Sequence, residues 1–215
     1  MGVNSQAWHA LQKELSESAV LVAVSKIRQP EEILALYNLG QRDFGENYVQ
    51  ELVDKQSKLP DDIRWHFIGH LQSNKVKQII SFAYLIQGVD SLKLLKEINK
   101  QAAKMGRTVN VLLQVHIAVE ESKFGLDEGE LTEIMQQKDA LPGVKICGLM
   151  GMASNTDDTE KVRLEFRKLH EVFNGYQELP DFRILSMGMS GDYALALEEG
   201  SNMVRIGSLL FGRRN

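Results

Sequence analysis

Eight short apolar runs recur along the chain, at 20–24, 43–46, 64–69, 84–89, 109–117, 144–151, 183–189 and 203–206, and a helix-compatible segment follows each run but the last. No other feature of the sequence narrows the fold as far. Strands that alternate with helices pair in parallel. The runs are apolar on consecutive residues, the pattern of strands covered on both faces. Helices are expected after Pro30, over 47–58 and 73–82, from the cap Ser91 to Met105, and over 127–138, 158–174 and 191–199. An opening helix puts Ala7, Trp8, Leu11, Leu15 and Ala19 on one face. Eight units predict a single (β/α)8 barrel over 1–215, with the opening helix as an extra element that closes the ring against the last strand. At 215 residues the loops must be short and no second domain fits. The rival is an open doubly wound sheet. That fold calls for a phosphate loop or a dinucleotide fingerprint, and Gly188 with Gly191 does not make one.

Composition excludes several classes of function. Hydrophobic residues make up 43% and charged residues 25%, which excludes disorder of the whole chain. The 29 acidic residues outnumber the 25 basic ones, for a net charge of −4, so no nucleic-acid partner is expected. The lone cysteine, Cys147, excludes an internal disulfide and a cysteine-based zinc cage, and reads as a small buried core residue. No apolar run reaches the roughly 18 residues of a membrane span. The first residues show no signal peptide, and Gln6 stands where a myristoylation start needs Ser or Thr. The expectation is a cytoplasmic monomer with no membrane attachment.

In such a barrel, chemistry belongs at the C-terminal ends of the strands. The first strand leads to Lys26, which shares parity with Val22 and Val24 and so points inward at the rim if those residues fill the barrel. Desolvation there favours the neutral amine, a nucleophile that forms imines. The alternative is a lysine that snorkels to solvent. Asn47 follows the second strand as a ligand-binding amide or as a helix cap. His66 and His70 are four strand steps apart, roughly 13 Å, too far to share one ion, and read as structural or hydrogen-bonding groups. Met150, Met152, Met187 and Met189 read as packing. The seventh strand turns through Ser190 and Gly191, and the eighth ends in Arg205, Ile206, Gly207 and Ser208. Free backbone N–H groups, a hydroxyl and a glycine that lets an anion approach make a workable phosphate site there. The alternative is a pair of glycine turns with no ligand. An inward lysine with a phosphate site points to pyridoxal phosphate.

The motifs agree with that chemistry. Ala23-Val24-Ser25-Lys26, Phe44-Gly45-Glu46-Asn47, and Trp65-His66-Phe67-Ile68-Gly69 with Leu71-Gln72 and Asn74-Lys75 come first. Ser122-Lys123 with Gly125, Gly148-Leu149-Met150, Ser186-Met187-Gly188-Met189-Ser190 with Asp192, and Val204-Arg205-Ile206-Gly207 with Phe211-Gly212 follow. Together, in this order, they resemble the pyridoxal phosphate homeostasis protein family. The sequence departs from the pattern at His116, where the family has Asn, and no ligand contact is assigned there.

The resemblance implies a barrel related to the N-terminal domain of bacterial alanine racemase, with an internal aldimine on Lys26. It implies phosphate held by Ser190 and the backbone around Gly191, Gly207 and Ser208; the rim amide of Asn47 is counted with them as a candidate cofactor contact from its position after the second strand. Arg205 would face the pyridine nitrogen. Arginine stays protonated and only donates, so that nitrogen would remain unprotonated, a poor electron sink. The expected function is pyridoxal 5'-phosphate binding for intracellular cofactor homeostasis, without robust catalysis and with pyridoxal phosphate-dependent apoenzymes as possible partners. The competing reading is a pyridoxal phosphate-dependent amino-acid racemase. A two-base racemase needs an acid/base on each face of the substrate carbon. The resembled racemases take the second base, a tyrosine, from a second domain, and this sequence is expected to lack that domain.

Overall fold

Parallel pairing runs without a break around a closed barrel in the computed structural model, which describes residues 2–16, 18–120 and 124–212. The strands are β1 (Val20–Val24), β2 (Asp43–Glu46), β3 (Arg64–Phe67), β4 (Leu85–Val89), β5 (Val109–Gln114), β6 (Val144–Met150), β7 (Ile184–Met189) and β8 (Met203–Ile206). Each pairs with the next, and β8 pairs back onto β1 from Val20↔Met203 to Ala23↔Ile206. The ring is therefore closed by its own strand ladder. Contrary to the expectation from the sequence, the helix α1 (Ser5–Leu15) does not complete it. It packs on the outside, against β1 and the last helix, through Trp8, Leu11 and Leu15. Asn4 caps it, its Oδ1 accepting from Ala7 N at 3.0 Å.

Outside the barrel lie α2 (Pro30–Asn38), α3 (Val49–Gln56), α4 (Val76–Ile79), α5 (Leu92–Lys104), α6 (Glu128–Gln137), α7 (Thr159–Asn174), α8 (Tyr193–Glu198) and α9 (Ser208–Phe211). Ser91 caps α5 as expected, accepting from Leu94 N. The helix expected over 73–82 is a 3-10 turn, Ser73–Lys75, followed by the single turn α4. That turn already buries Val76 and Ile79, so more helix would add little apolar burial. The fifth strand stops at Gln114 because Val115 bridges to Leu126 in the following loop. Among the described residues no helix is long and apolar enough to cross a membrane.

Alternate residues of each strand serve two cores. Outward side chains such as Ala23, Phe44, Phe67, Val111, Leu149 and Ile206 pack with the helices in one large apolar cluster. Each of the larger ones, from Phe44 to Ile206, contributes about 1.5–3 kcal/mol when fully buried. Inside the ring, Val22, Leu85, Leu112, Cys147, Met150 and Met203 form a smaller cluster. Cys147 is thus a buried core residue, its thiol pushed up by burial. The rest of the interior is polar: Asp43, His66, Gln87, Ser186 and Arg205 are all buried.

Candidate functional site

Parallel pairing of β1 with β2 and β8, and of β7 with β8, brings the ends of these strands to one end of the barrel. Lys26 stands just past β1, half-buried, in line with the interior residue Val22. A buried ionic cluster holds its two neighbours. The Ser25 hydroxyl donates to Glu46 Oε1 at 2.6 Å, and the Ile27 N–H donates to Glu51 Oε1 at 2.5 Å. Lys55, on α3, donates to Ser25 O at 2.7 Å, Glu46 Oε1 at 2.7 Å and Glu51 Oε1 at 2.6 Å. Ile27 has φ 61°, a left-handed conformation that costs a β-branched residue about 1–3 kcal/mol. The Glu51 bond helps to hold that turn, which fixes how the backbone presents Lys26. Burial pushes the Glu46 carboxyl up, against the opposing pull of Lys55 and Ser25. Sequence reasoning missed Glu51 and Lys55, and read Glu46 only as part of a motif.

Asn47 follows β2 and is half-buried. It does not cap α3, whose N-cap is Tyr48. Its Oδ1 is buried with no hydrogen-bond partner in the protein, so of the two sequence readings the ligand amide is the one the geometry leaves open.

The turns after β7 and β8 meet directly. Ser190 Oγ accepts from Gly207 N at 3.1 Å, which joins the two glycine-containing segments into one surface. Among the described residues, the N–H groups of Gly191, Ser208 and Leu209 have no acceptor. A side chain at Gly191 would meet nothing within 4 Å, so the backbone there is open to a ligand. Gly188 shapes the turn. Its φ is 92°, and a Cβ would lie 2.6 Å from Ala196 Cβ, so only glycine fits. Met189 N donates to Asp192 Oδ1 at 2.6 Å. The N–H groups of Gly191, Ser208 and Leu209 are donors of the kind an anion can use.

Arg205 projects into the barrel beneath these turns and is 4% exposed. Its Nη1 donates to Ser186 Oγ at 2.6 Å and its Nη2 to Gly151 O at 2.9 Å. Two of the five guanidinium N–H groups thus have protein acceptors, which leaves donors for a ligand. Burial pushes its pKa down to about 10, with Asp192 opposing, so it remains a cation at neutral pH.

The other marked residues divide. His66 is buried inside the barrel, bonded to Asp43 and Gln87, and His70 is exposed, bonded to Asp90. Both are hydrogen-bonding groups, as expected. Met150 and Met187 are fully buried, but Met189 is 39% exposed at the rim and does not pack as expected. The pairing of β7 with β8 shifts register between Ser186 and Met189, so the regular alternation of buried positions does not carry through to Met189. Ser122 and Lys123 lie outside the described residues. Among the described residues no group of three or more His, Cys, Asp or Glu is placed to hold a metal ion.

Residues 5–215 match the family described as "Alanine racemase, N-terminal domain". A pyridoxal phosphate homeostasis protein of Aquifex aeolicus is 43% identical over 199 residues, covering 91% of this chain and 87% of that protein. Another, of Pasteurella multocida, is 42% identical and covers 96% of this chain and 92% of that one. The solved structure of PipY from Synechococcus elongatus with PLP bound is similar at a TM-score of 0.87 and 35% identity, covering 97% of this chain and 99% of that chain. The chain belongs to the alanine racemase N-terminal domain family and, within it, to the pyridoxal phosphate homeostasis proteins.

Proposed function

We propose that this protein binds pyridoxal 5'-phosphate for intracellular cofactor homeostasis, held covalently on Lys26, without robust catalysis. The observation that carries the reading is the convergence of three unlike features at one barrel end. They are a lysine on a braced turn, an anion cradle made by the β7 and β8 turns, and a buried arginine with donors to spare. The residues fit such a group: Asn47 Oδ1 lacks a partner, and the Gly191 and Ser208 N–H groups lack acceptors. The cofactor, when bound, supplies an aldehyde carbon, a ring nitrogen and a phosphate.

Each residue then has a task. Lys26 supplies the amine that captures the aldehyde. The Ser190 hydroxyl and the N–H groups of Gly191 and Ser208 hold the phosphate, with the Gly207 N–H tying Ser190 to the second turn. Asn47 accepts a hydrogen bond on its open oxygen. Arg205 donates toward the ring nitrogen. A guanidinium kept cationic at neutral pH holds that nitrogen without protonating it, which limits carbanion chemistry. This favours binding over racemisation. On this reading the protein works in the cytoplasm as a monomer, with cofactor-dependent apoenzymes as its partners.

Borohydride reduction of the cofactor-loaded protein tests the reading. The cofactor's mass is expected on the peptide that carries Lys26, and Lys26→Ala is expected to lose the label while keeping its fold. Label on Lys75 or spread over surface lysines refutes the assignment. Incubation with L-alanine in deuterated water is expected to give negligible alpha-proton exchange. Fast exchange abolished by Lys26→Ala would overturn the non-catalytic reading in favour of a racemase.

A further inference from the structure

A line of hydrogen bonds crosses the barrel interior beneath the proposed cofactor site. Arg205 Nη1 donates to Ser186 Oγ at 2.6 Å, and the Ser186 hydroxyl donates to Gln87 Oε1 at 2.7 Å. Gln87 Nε2 lies 3.0 Å from His66 Nδ1, and His66 Nε2 lies 2.9 Å from Asp43 Oδ1. Arg64 Nε closes the line on Asp43 Oδ1 at 2.8 Å. Ser186, Gln87 and His66 are fully buried. Arg64, whose side chain is 45% exposed, opens the far end to solvent. The line thus joins residues of β8, β7, β4, β3 and β2.

The two ends dictate where every proton sits. Arginine can only donate, so Ser186 Oγ accepts from Arg205 and must pass its own proton to Gln87 Oε1. The Gln87 amide then presents its nitrogen to His66 Nδ1, which must accept. His66 therefore carries its proton on Nε2 and donates it to Asp43. Burial pushes the Asp43 carboxyl up, but hydrogen bonds from Arg64 and His66 outweigh it and hold Asp43 below the usual carboxylate range. Asp43 is therefore an anion with nothing to donate. With a neutral imidazole in it, a line with a pure donor at one end and a pure acceptor at the other has one hydrogen-bond arrangement. Flipping the Gln87 amide would set an oxygen against His66 Nδ1 and a nitrogen against the Ser186 proton.

We infer that Ser186, Gln87 and His66 are positioning residues that set the Arg205 guanidinium against the ring of the bound cofactor, with Asp43 and Arg64 as the anchor. The inference rests on the reading that Arg205 meets the ring nitrogen. Ser186 is one of two protein acceptors that orient Arg205, and its hydroxyl is directed only by Gln87. Loss of the Gln87 acceptor frees that hydroxyl to rotate, and Arg205 loses its fixed partner. A displaced guanidinium withdraws positive charge from the ring nitrogen, which then takes up a proton more readily.

The test follows the visible absorbance of the cofactor-loaded protein against pH in the parent, Arg205→Gln, Ser186→Ala and Gln87→Met. Arg205→Gln is expected to move the midpoint upward. Ser186→Ala and Gln87→Met are expected to move it in the same direction by about half a pH unit or more, with borohydride labelling of Lys26 retained. If Arg205→Gln leaves the profile at that of the parent, Arg205 does not meet the ring and the underlying reading fails. If Arg205→Gln moves the profile while Ser186→Ala and Gln87→Met do not, the line is structural and the inference is overturned. Movement in Ser186→Ala alone overturns the part assigned to Gln87 and His66. Ser186→Ala deletes one hydroxyl, so it decides the part of Ser186 even if Gln87→Met fails to fold; His66→Asn then decides the rest, an unmoved midpoint overturning the part assigned to Gln87 and His66.

Discussion

Replacing Lys55 by Met isolates what the buried cluster beside Lys26 contributes. The methionine keeps most of the stem volume, so the loss is electrostatic and not a cavity. In the parent, Lys55 is 3% exposed and Glu46 0%, with Nζ–Oε1 at 2.7 Å. Without the ammonium, Glu46 keeps only the Ser25 hydroxyl, and Ser25 O loses its donor. Stranding one charge of a buried pair costs about 3–5 kcal/mol. The variant has an escape, since Glu46 can take up a proton. From an ordinary carboxylate value near 4.3, that costs about 3.7 kcal/mol at pH 7 and about 1 kcal/mol at pH 5. The expected loss of stability is therefore about 3–4 kcal/mol at pH 7, falling to about 1 kcal/mol at pH 5. The sign follows from proton counting. Between these pH values the variant's folded state binds one proton more than its unfolded state, so its stability falls as pH rises. Urea denaturation of Lys55→Met and parent at both pH values measures this directly. A loss below about 1 kcal/mol at pH 7, or an equal loss at pH 5, would refute the reasoning.

The remaining predictions concern the anion cradle. Ser190→Ala removes one charge-assisted hydrogen bond and is expected to weaken retention of pyridoxal phosphate by about 1.5–3 kcal/mol, roughly tenfold to a hundredfold. Equilibrium dialysis checks this, and pyridoxal without its phosphate should bind far more weakly to the parent. Equal affinity for the two forms would put the cradle elsewhere. Gly188→Ala places a Cβ 2.6 Å from Ala196 Cβ at a φ of 92° and is expected to cost about 2 kcal/mol or more, seen as a lower thermal midpoint with poorer cofactor retention.

Strand order and the inward direction of the first strand were legible because both follow from periodicity. The eight apolar runs mark β1 to β8, most of them to within two or three residues. Val22, the residue whose parity Lys26 shares, does fill the interior. The same parity, applied to Leu85 and Gln87, to Ile184 and Ser186, and to Met203 and Arg205, points to the interior polar line. An amide inside an otherwise apolar strand was the visible signal. Lys55 gave none, since a lysine on an amphipathic helix reads as solvated. Only the fold carries it to Glu46 and the carbonyl of Ser25. The meeting of Ser190 with Gly207 was legible only in part. Each turn announced itself through glycine, while their bond depends on β7 lying beside β8.

The neighbours of Lys26 and the Arg205 guanidinium are both held by buried polar groups, and physics gives a reason for that choice. Apolar contacts favour burial but carry no direction, so a side chain held by them alone keeps some freedom to turn. Hydrogen bonds to charged groups fix direction, at the cost of burying polar atoms. A half-satisfied network would be worse than an apolar core, whereas a fully satisfied one specifies a single arrangement. The Arg205 line is satisfied at every link from Ser186 to Asp43. The Lys55 cluster is satisfied except at Glu46 Oε2. That one orphaned oxygen makes the cluster the less secure of the two devices. Disturbing Lys55 should therefore loosen the Lys26 turn before the Arg205 line gives way. The two devices are therefore separable, one steadying the turn that carries Lys26 from α3 and the other holding Arg205 from inside the barrel.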